Sequence, residues 1–99
     1  MGKLQEQEQM AKILIEQAKR LIGLLGADVV GIPQYDRSAK PWNGSPLFPQ
    51  AAYAYDQLAA AEKKVDRVKW ERTKETDGRT ADDVMRHLWE LLEDIRRGG

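Results

Sequence analysis

Apolar residues recur every three or four positions in three separate stretches of the chain, which is the spacing that amphipathic helices show. The first stretch predicts helix 1 over about residues 4–25, the second predicts helix 2 over about 49–73, and the third predicts helix 3 over about 80–97. The stretches are long, and each has a polar opposite side. The pattern therefore predicts an all-α fold.

A proline-rich segment of about residues 26–48 separates helices 1 and 2. All four prolines of the chain fall between residues 33 and 49, and several glycines accompany them. Proline lacks a backbone N–H and fixes φ, so this composition interrupts regular structure. With only 99 residues there is room for one domain. We expect residues 1–99 to form a three-helix bundle with a long irregular crossover containing proline and glycine between helices 1 and 2.

Helix 1 has an unusually broad apolar side, close to half of its circumference. Its members are Met10, Ala11, Leu14, Ile15, Ala18, Leu21, Ile22, Leu24 and Leu25, with Ile13 at the edge. A helix that packs against one neighbour needs an apolar stripe of only about 100° or somewhat more. Helix 1 is therefore expected either to contact two neighbours within the domain or to form a homodimer interface.

Local signals place the helix ends. Gly26 is a plausible C-cap of helix 1, and Ser45 followed by Pro46 is a favourable start for helix 2. Thr80 with Asp83 three residues later forms a variant of the capping box at the start of helix 3. The turn signal at Asp77-Gly78 is short, so helices 2 and 3 are expected to pack antiparallel.

Charge is balanced overall but uneven along the chain. Sixteen basic and sixteen acidic side chains give a net charge of zero, which weakens the case for non-specific attraction to a polyanion. Residues 63–74 nevertheless hold six cations and two anions, and residues 75–94 hold seven anions and two cations. The chain has no cysteine, which excludes disulfides and thiolate sites and suits a cytoplasmic protein. No apolar run approaches the roughly 20 residues of a membrane-spanning helix.

The crossover holds the first candidate partner-binding residues. They combine aromatic and charged side chains that frequently carry interface energy: Tyr35, Asp36, Arg37, Lys40 and Trp42. A segment this long without regular structure is often functional. The alternative is a lid, in which Trp42 and Phe48 close the open end of the helical core. The sequence leaves both interpretations open.

A basic and aromatic face of helix 2 is the second candidate. Lys63, Arg67, Trp70 and Lys74 follow a spacing of four, three and four residues, which places them on one side of a continuous helix. Cations beside an exposed indole could neutralise phosphates and stack a base, or they could bind an acidic protein surface. In the alternative interpretation, the face is solvated and Trp70 packs under the crossover or against helix 1.

An acidic face of helix 3 is the third and weakest candidate. Asp83, His87, Glu90 and Asp94 share one side of the helix, and such groups could ligate a divalent metal. A metal site needs ligands that converge from more than one element, however, and all four project from one helix. An ordinary polar face and an acidic docking surface are the other interpretations.

These observations favour a small non-enzymatic protein that binds a macromolecular partner, most plausibly a protein, and needs no cofactor. By analogy with small proteins of phages and mobile elements, we expect an inhibitor of a host factor. One alternative is a nucleic-acid-binding module that uses the basic face of helix 2. A second alternative is a metal-dependent hydrolase that uses the acidic face of helix 3.

Overall fold

The computed structural model describes residues 2–26, 47–74 and 78–97, with side chains from residue 5 onward. These residues form four helices and no strand, which confirms the all-α prediction. The helices are α1 (Gly2–Leu24), α2 (Leu47–Lys64), α3 (Arg67–Arg72) and α4 (Ala81–Arg96). Helix 1 corresponds to α1 and helix 3 to α4, whereas helix 2 is divided into α2 and α3. Most of the predicted crossover lies outside the described residues.

The three long helices α1, α2 and α4 each contact the other two, so one shared core lies between them. Small residues allow these helices to approach closely, since Ala11, Ala18, Ala51, Ala54 and Ala81 have no exposed surface. The larger side chains fill the remaining space. The most deeply buried of them are Trp70, Leu14, Leu21, Ile22, Leu47, Leu58, Leu88, Ile95 and Val84.

The broad apolar side of α1 is explained in part by its two neighbours. Seven residues of that side are buried against α2 and α4: Ala11, Leu14, Ile15, Ala18, Leu21, Ile22 and Leu25. Met10, Ile13 and Leu24 remain between 41% and 49% exposed, so packing within the domain does not use the whole arc. Gly26 ends the helix as predicted, with a φ of +77° and its N–H donated to the carbonyl of Gly23.

The prediction of one helix over 49–73 is wrong, because α2 ends at Lys64. Asp66 interrupts the helix and becomes the N-cap of α3, where its side chain accepts a hydrogen bond of 2.7 Å from the N–H of Val68. Such local bonding lets aspartate compete with a continuous helix. The break changes which side chains face the core. Val68, an apolar residue within the range predicted for helix 2, is 53% exposed, and Trp70, predicted to share one side of that helix with three cations, is fully buried.

The start of α4 has the predicted capping box. The Thr80 hydroxyl accepts from the N–H of Asp83 at 3.2 Å, and the Asp83 carboxylate accepts from the N–H of Thr80 at 3.2 Å. Two of the four unpaired N–H groups at this helix end are thereby satisfied.

Contacts between helices define the relative directions of α1, α2 and α4. Gln7, near the start of α1, donates a hydrogen bond of 2.6 Å to Asp94, near the end of α4, so these two helices run antiparallel. The end of α2 lies near the start of α4, since Arg67 contacts both Glu62 and Asp82. α2 and α4 are therefore also antiparallel.

Candidate interaction surfaces

The structure does not assemble the predicted basic and aromatic face. Trp70 has no exposed surface, and its Nε1 donates a hydrogen bond of 2.7 Å to Oδ1 of Asp82 in the first turn of α4. The interpretation that requires an exposed indole is wrong, because the helix break turns Trp70 inward. The interpretation in which Trp70 packs is supported, with α4 as its hydrogen-bonding neighbour. Lys63 lies on α2 and Lys74 beyond the end of α3, so the regular spacing no longer defines one face.

Arg67 forms ion pairs with three carboxylates. Its guanidinium lies 2.8 Å from Glu62, 3.1 Å from Glu71 and 3.5 Å from Asp82. The hydrogen bonds to Glu62 and then to Glu71 raise the pKa of Arg67 above its ordinary value. This cluster joins α2, α3 and α4 at one end of the bundle. The positive charge of Arg67 is balanced locally, which makes this side chain a poor ligand for a phosphate.

Three of the four residues of the predicted acidic face of α4 make contacts within the fold. Asp83 serves the capping box and pairs with Arg86 at 3.0 Å, while Nδ1 of His87 lies 2.7 Å from the carbonyl oxygen of Asp83. Asp94 accepts the hydrogen bond from Gln7, and of the four residues only Glu90 belongs to the exposed class. Across the described ranges, no three histidine or carboxylate side chains are arranged to hold a metal ion.

Asp83 connects the stability of the fold to pH. Hydrogen bonds from the backbone and then the side chain of Thr80 lower the pKa of Asp83. A carboxylate with a lower pKa in the folded state stabilises the fold above its unfolded pKa, near 4, and that stabilisation disappears as the pH falls through the folded value. Between about pH 5 and pH 2, we expect the free energy of unfolding to fall less in Asp83→Asn than in wild type. Urea unfolding at several pH values checks this, with Glu90→Gln as the control. An equal decrease in the free energy of unfolding with falling pH for wild type and Asp83→Asn would contradict it.

The crossover candidates Tyr35, Asp36, Arg37, Lys40 and Trp42 lie outside the described residues. The lid interpretation gains support at Phe48 alone. This residue falls in the first turn of α2, where it is half-buried and packs against the core.

Two aromatic rings, one of them exposed, meet between α2 and α4, and the sequence patterns do not predict this contact. Trp89 of α4 is 48% exposed, and its ring lies 5.8 Å from that of Tyr55 of α2, with a tilt of 44° between the ring planes. Two ion pairs lie along the same helix, Arg86 with Asp83 before Trp89 and Arg96 with Glu93 after it. We call Tyr55 and Trp89 the aromatic pair. The only sequence signal for it is a large apolar residue on the polar side of helix 3.

A second surface follows the outer side of α1. Met10, Ile13 and Leu24, the exposed large apolar residues among the described side chains of α1, lie within about 60° of one another around the helix axis. Exposed Val68 of α3 extends this surface, because it lines one groove together with Leu24. We call Met10, Ile13, Leu24 and Val68 the α1 stripe.

The two ends of the α1 stripe carry opposite charge. The groove at Leu24 is also lined by Lys69 and Arg72, with Asp66 as its one acidic side chain. The groove at Met10 is lined by Glu90 and Asp94 together with residues His87 and Leu91. We call these the basic end and the acidic end of the stripe.

Among the described residues, no helix has both the length and the apolar content needed to cross a membrane. No family model, no curated protein and no solved structure matches the chain.

Proposed function

We propose that this chain is a small non-enzymatic protein that binds a protein partner through the aromatic pair. The observation that carries the proposal is the half-exposed indole of Trp89, held against the ring of Tyr55. Tryptophan and tyrosine are the side chains that most often dominate binding energy at protein interfaces, because they bury a large area with few rotatable bonds. A ring already packed on its neighbour loses little further freedom on binding.

The surroundings of the aromatic pair favour a protein over a nucleic acid. Arg86 and Arg96, the arginines of α4 that come before and after Trp89 in the sequence, each pair with a carboxylate of the same helix, so this part of the described surface has no marked positive charge. Nucleic-acid binding draws most of its affinity from unpaired cations that neutralise phosphates. The basic face proposed for that alternative lacks its exposed indole, and Arg67 is paired with carboxylates. The metal-dependent hydrolase is likewise unsupported, since three of its four residues are engaged within the fold.

The proposal retains a cytoplasmic location and the class suggested by size, an inhibitor from a phage or mobile element that occupies a surface of a host factor. That class rests on analogy alone. A domain of 99 residues whose interior is filled by side chains is suited to covering a surface rather than enclosing a substrate.

Photo-crosslinking tests the proposal. Trp89 is replaced with the photoreactive amino acid benzoylphenylalanine, which preserves an aromatic ring at this position, and the protein is irradiated in cells of its source. We expect one discrete protein adduct, and we expect excess wild-type protein to compete it away while Trp89→Ala does not. The matched control places the same amino acid at Lys64, an exposed position of α2 outside the aromatic pair.

Three results would contradict the proposal. They are the absence of an adduct at position 89, equal adducts at positions 89 and 64, and an adduct that nuclease rather than protease removes. The last result would support the nucleic-acid alternative instead.

A further inference from the structure

We propose that the α1 stripe binds a second copy of this chain, in a two-fold symmetric dimer whose α1 helices lie antiparallel. This inference does not rest on the aromatic pair, since it concerns a different surface. The first observation behind it is the exposed apolar set of Met10, Ile13, Leu24 and Val68, which the fold leaves outside its core. Several half-exposed apolar residues on one side of the molecule mark an interaction surface more strongly than scattered ones do, and on this side Gln17 and Arg20 lie between Ile13 and Leu24.

The distribution of charge favours a second copy of this chain as the partner that covers the α1 stripe. A two-fold interface is self-complementary, so each residue at one end of the patch faces a residue at the other end of the partner's patch. Met10 and Leu24 are 14 positions apart, which is about 21 Å along a helix. Antiparallel pairing about the midpoint places Met10 of one copy opposite Leu24 of the other, twice in each dimer.

The same pairing brings opposite charges together at both ends. Glu90 and Asp94 at the acidic end of one copy then face Lys69 and Arg72 at the basic end of the other. Complementary potentials fix the register of an interface and disfavour other arrangements. A parallel arrangement would instead bring like charges together, which selects the antiparallel one.

The dimer has a consequence for partner binding. The aromatic pair lies on α2 and α4 and uses none of the residues of the α1 stripe. Each dimer therefore carries two copies of the aromatic pair, and a partner that repeats its own site would be bound with increased avidity.

Charge-reversal variants measured by sedimentation equilibrium test the proposal. The basic-end variant carries Lys69→Glu and Arg72→Glu, and the acidic-end variant carries Glu90→Lys and Asp94→Lys. We expect wild type to dimerise reversibly and each variant alone to dimerise at least tenfold more weakly, because like charges then meet at both ends. We expect a 1:1 mixture of the two variants to dimerise again. In the mixed dimer one contact joins two unchanged ends and the other joins two reversed ends, so both contacts are attractive.

Restored dimerisation in the mixture also shows that both variants are folded. Circular dichroism provides an independent check, and Glu90→Lys alone replaces the double variant if loss of the Gln7–Asp94 bond unfolds it. A wild-type chain that stays at 11.3 kDa at millimolar concentration would overturn the proposal. Unchanged dimerisation of either variant, or a mixture of folded variants that remains monomeric, would overturn it as well. None of these outcomes bears on the crosslinking at Trp89.

Discussion

Replacing Trp70 with alanine is expected to lower the free energy of unfolding by about 3–5 kcal/mol, the usual cost of truncating a buried tryptophan. The indole is fully buried, and its Nε1 is hydrogen-bonded to the first turn of α4. Domains of this size are stable by about 5–15 kcal/mol, so the loss is a large fraction of the total. Urea unfolding followed by circular dichroism at neutral pH measures the effect.

Two further variants separate the contributions of Trp70. Trp70→Phe keeps most of the apolar contact and removes the N–H donated to Asp82, so we expect a smaller loss than for alanine. Trp89→Ala is the matched control, because the same residue type is truncated at a half-exposed position and its effect on unfolding should be small. A loss below about 1 kcal/mol for Trp70→Ala would show that Trp70 does not anchor α3.

Features with a local cause could be predicted from the sequence. The apolar period places α1 and α4, Gly26 ends α1, and Thr80 with Asp83 starts α4. In each case the decisive groups are within four residues of one another. The all-α fold follows from these elements, since amphipathic helices must bury their apolar sides against one another.

The division of helix 2 could not be predicted, because the local capping by Asp66 does not decide it alone. Asp66 within an amphipathic pattern is compatible with a continuous helix and with a break. The break is favoured once Trp70 can be buried beside the first turn of α4 and donate to Asp82, a contact 12 residues away in sequence. The predicted basic face requires a continuous helix, so it does not form once the helix is divided.

The aromatic pair could not be predicted either, because it also depends on how two helices pack. Trp89 follows Leu88 directly and lies off the apolar face of helix 3, so periodicity alone assigns it to solvent. It becomes part of a surface only because α2 packs antiparallel to α4 and brings Tyr55 beside it. The periodicity of the sequence defines faces of single helices, whereas this candidate site is formed between two helices.

The binding energy at the aromatic pair is expected to be concentrated in Trp89. Truncating a central aromatic residue of an interface typically costs about 2 kcal/mol or more, which is about 30-fold in affinity. Trp89→Phe should retain much of the affinity, because a ring still packs against Tyr55. Ile13→Ala, on the α1 stripe, should leave the intrinsic affinity for the partner unchanged.

The most direct test is calorimetric titration of the purified partner, identified by crosslinking at position 89, into wild type and Trp89→Ala. Both proteins are first shown to unfold at the same urea concentration. A dissociation constant raised about 30-fold or more by Trp89→Ala is the expected result. Equal dissociation constants for the two proteins would contradict the proposal that this chain works by presenting the aromatic pair to a protein partner.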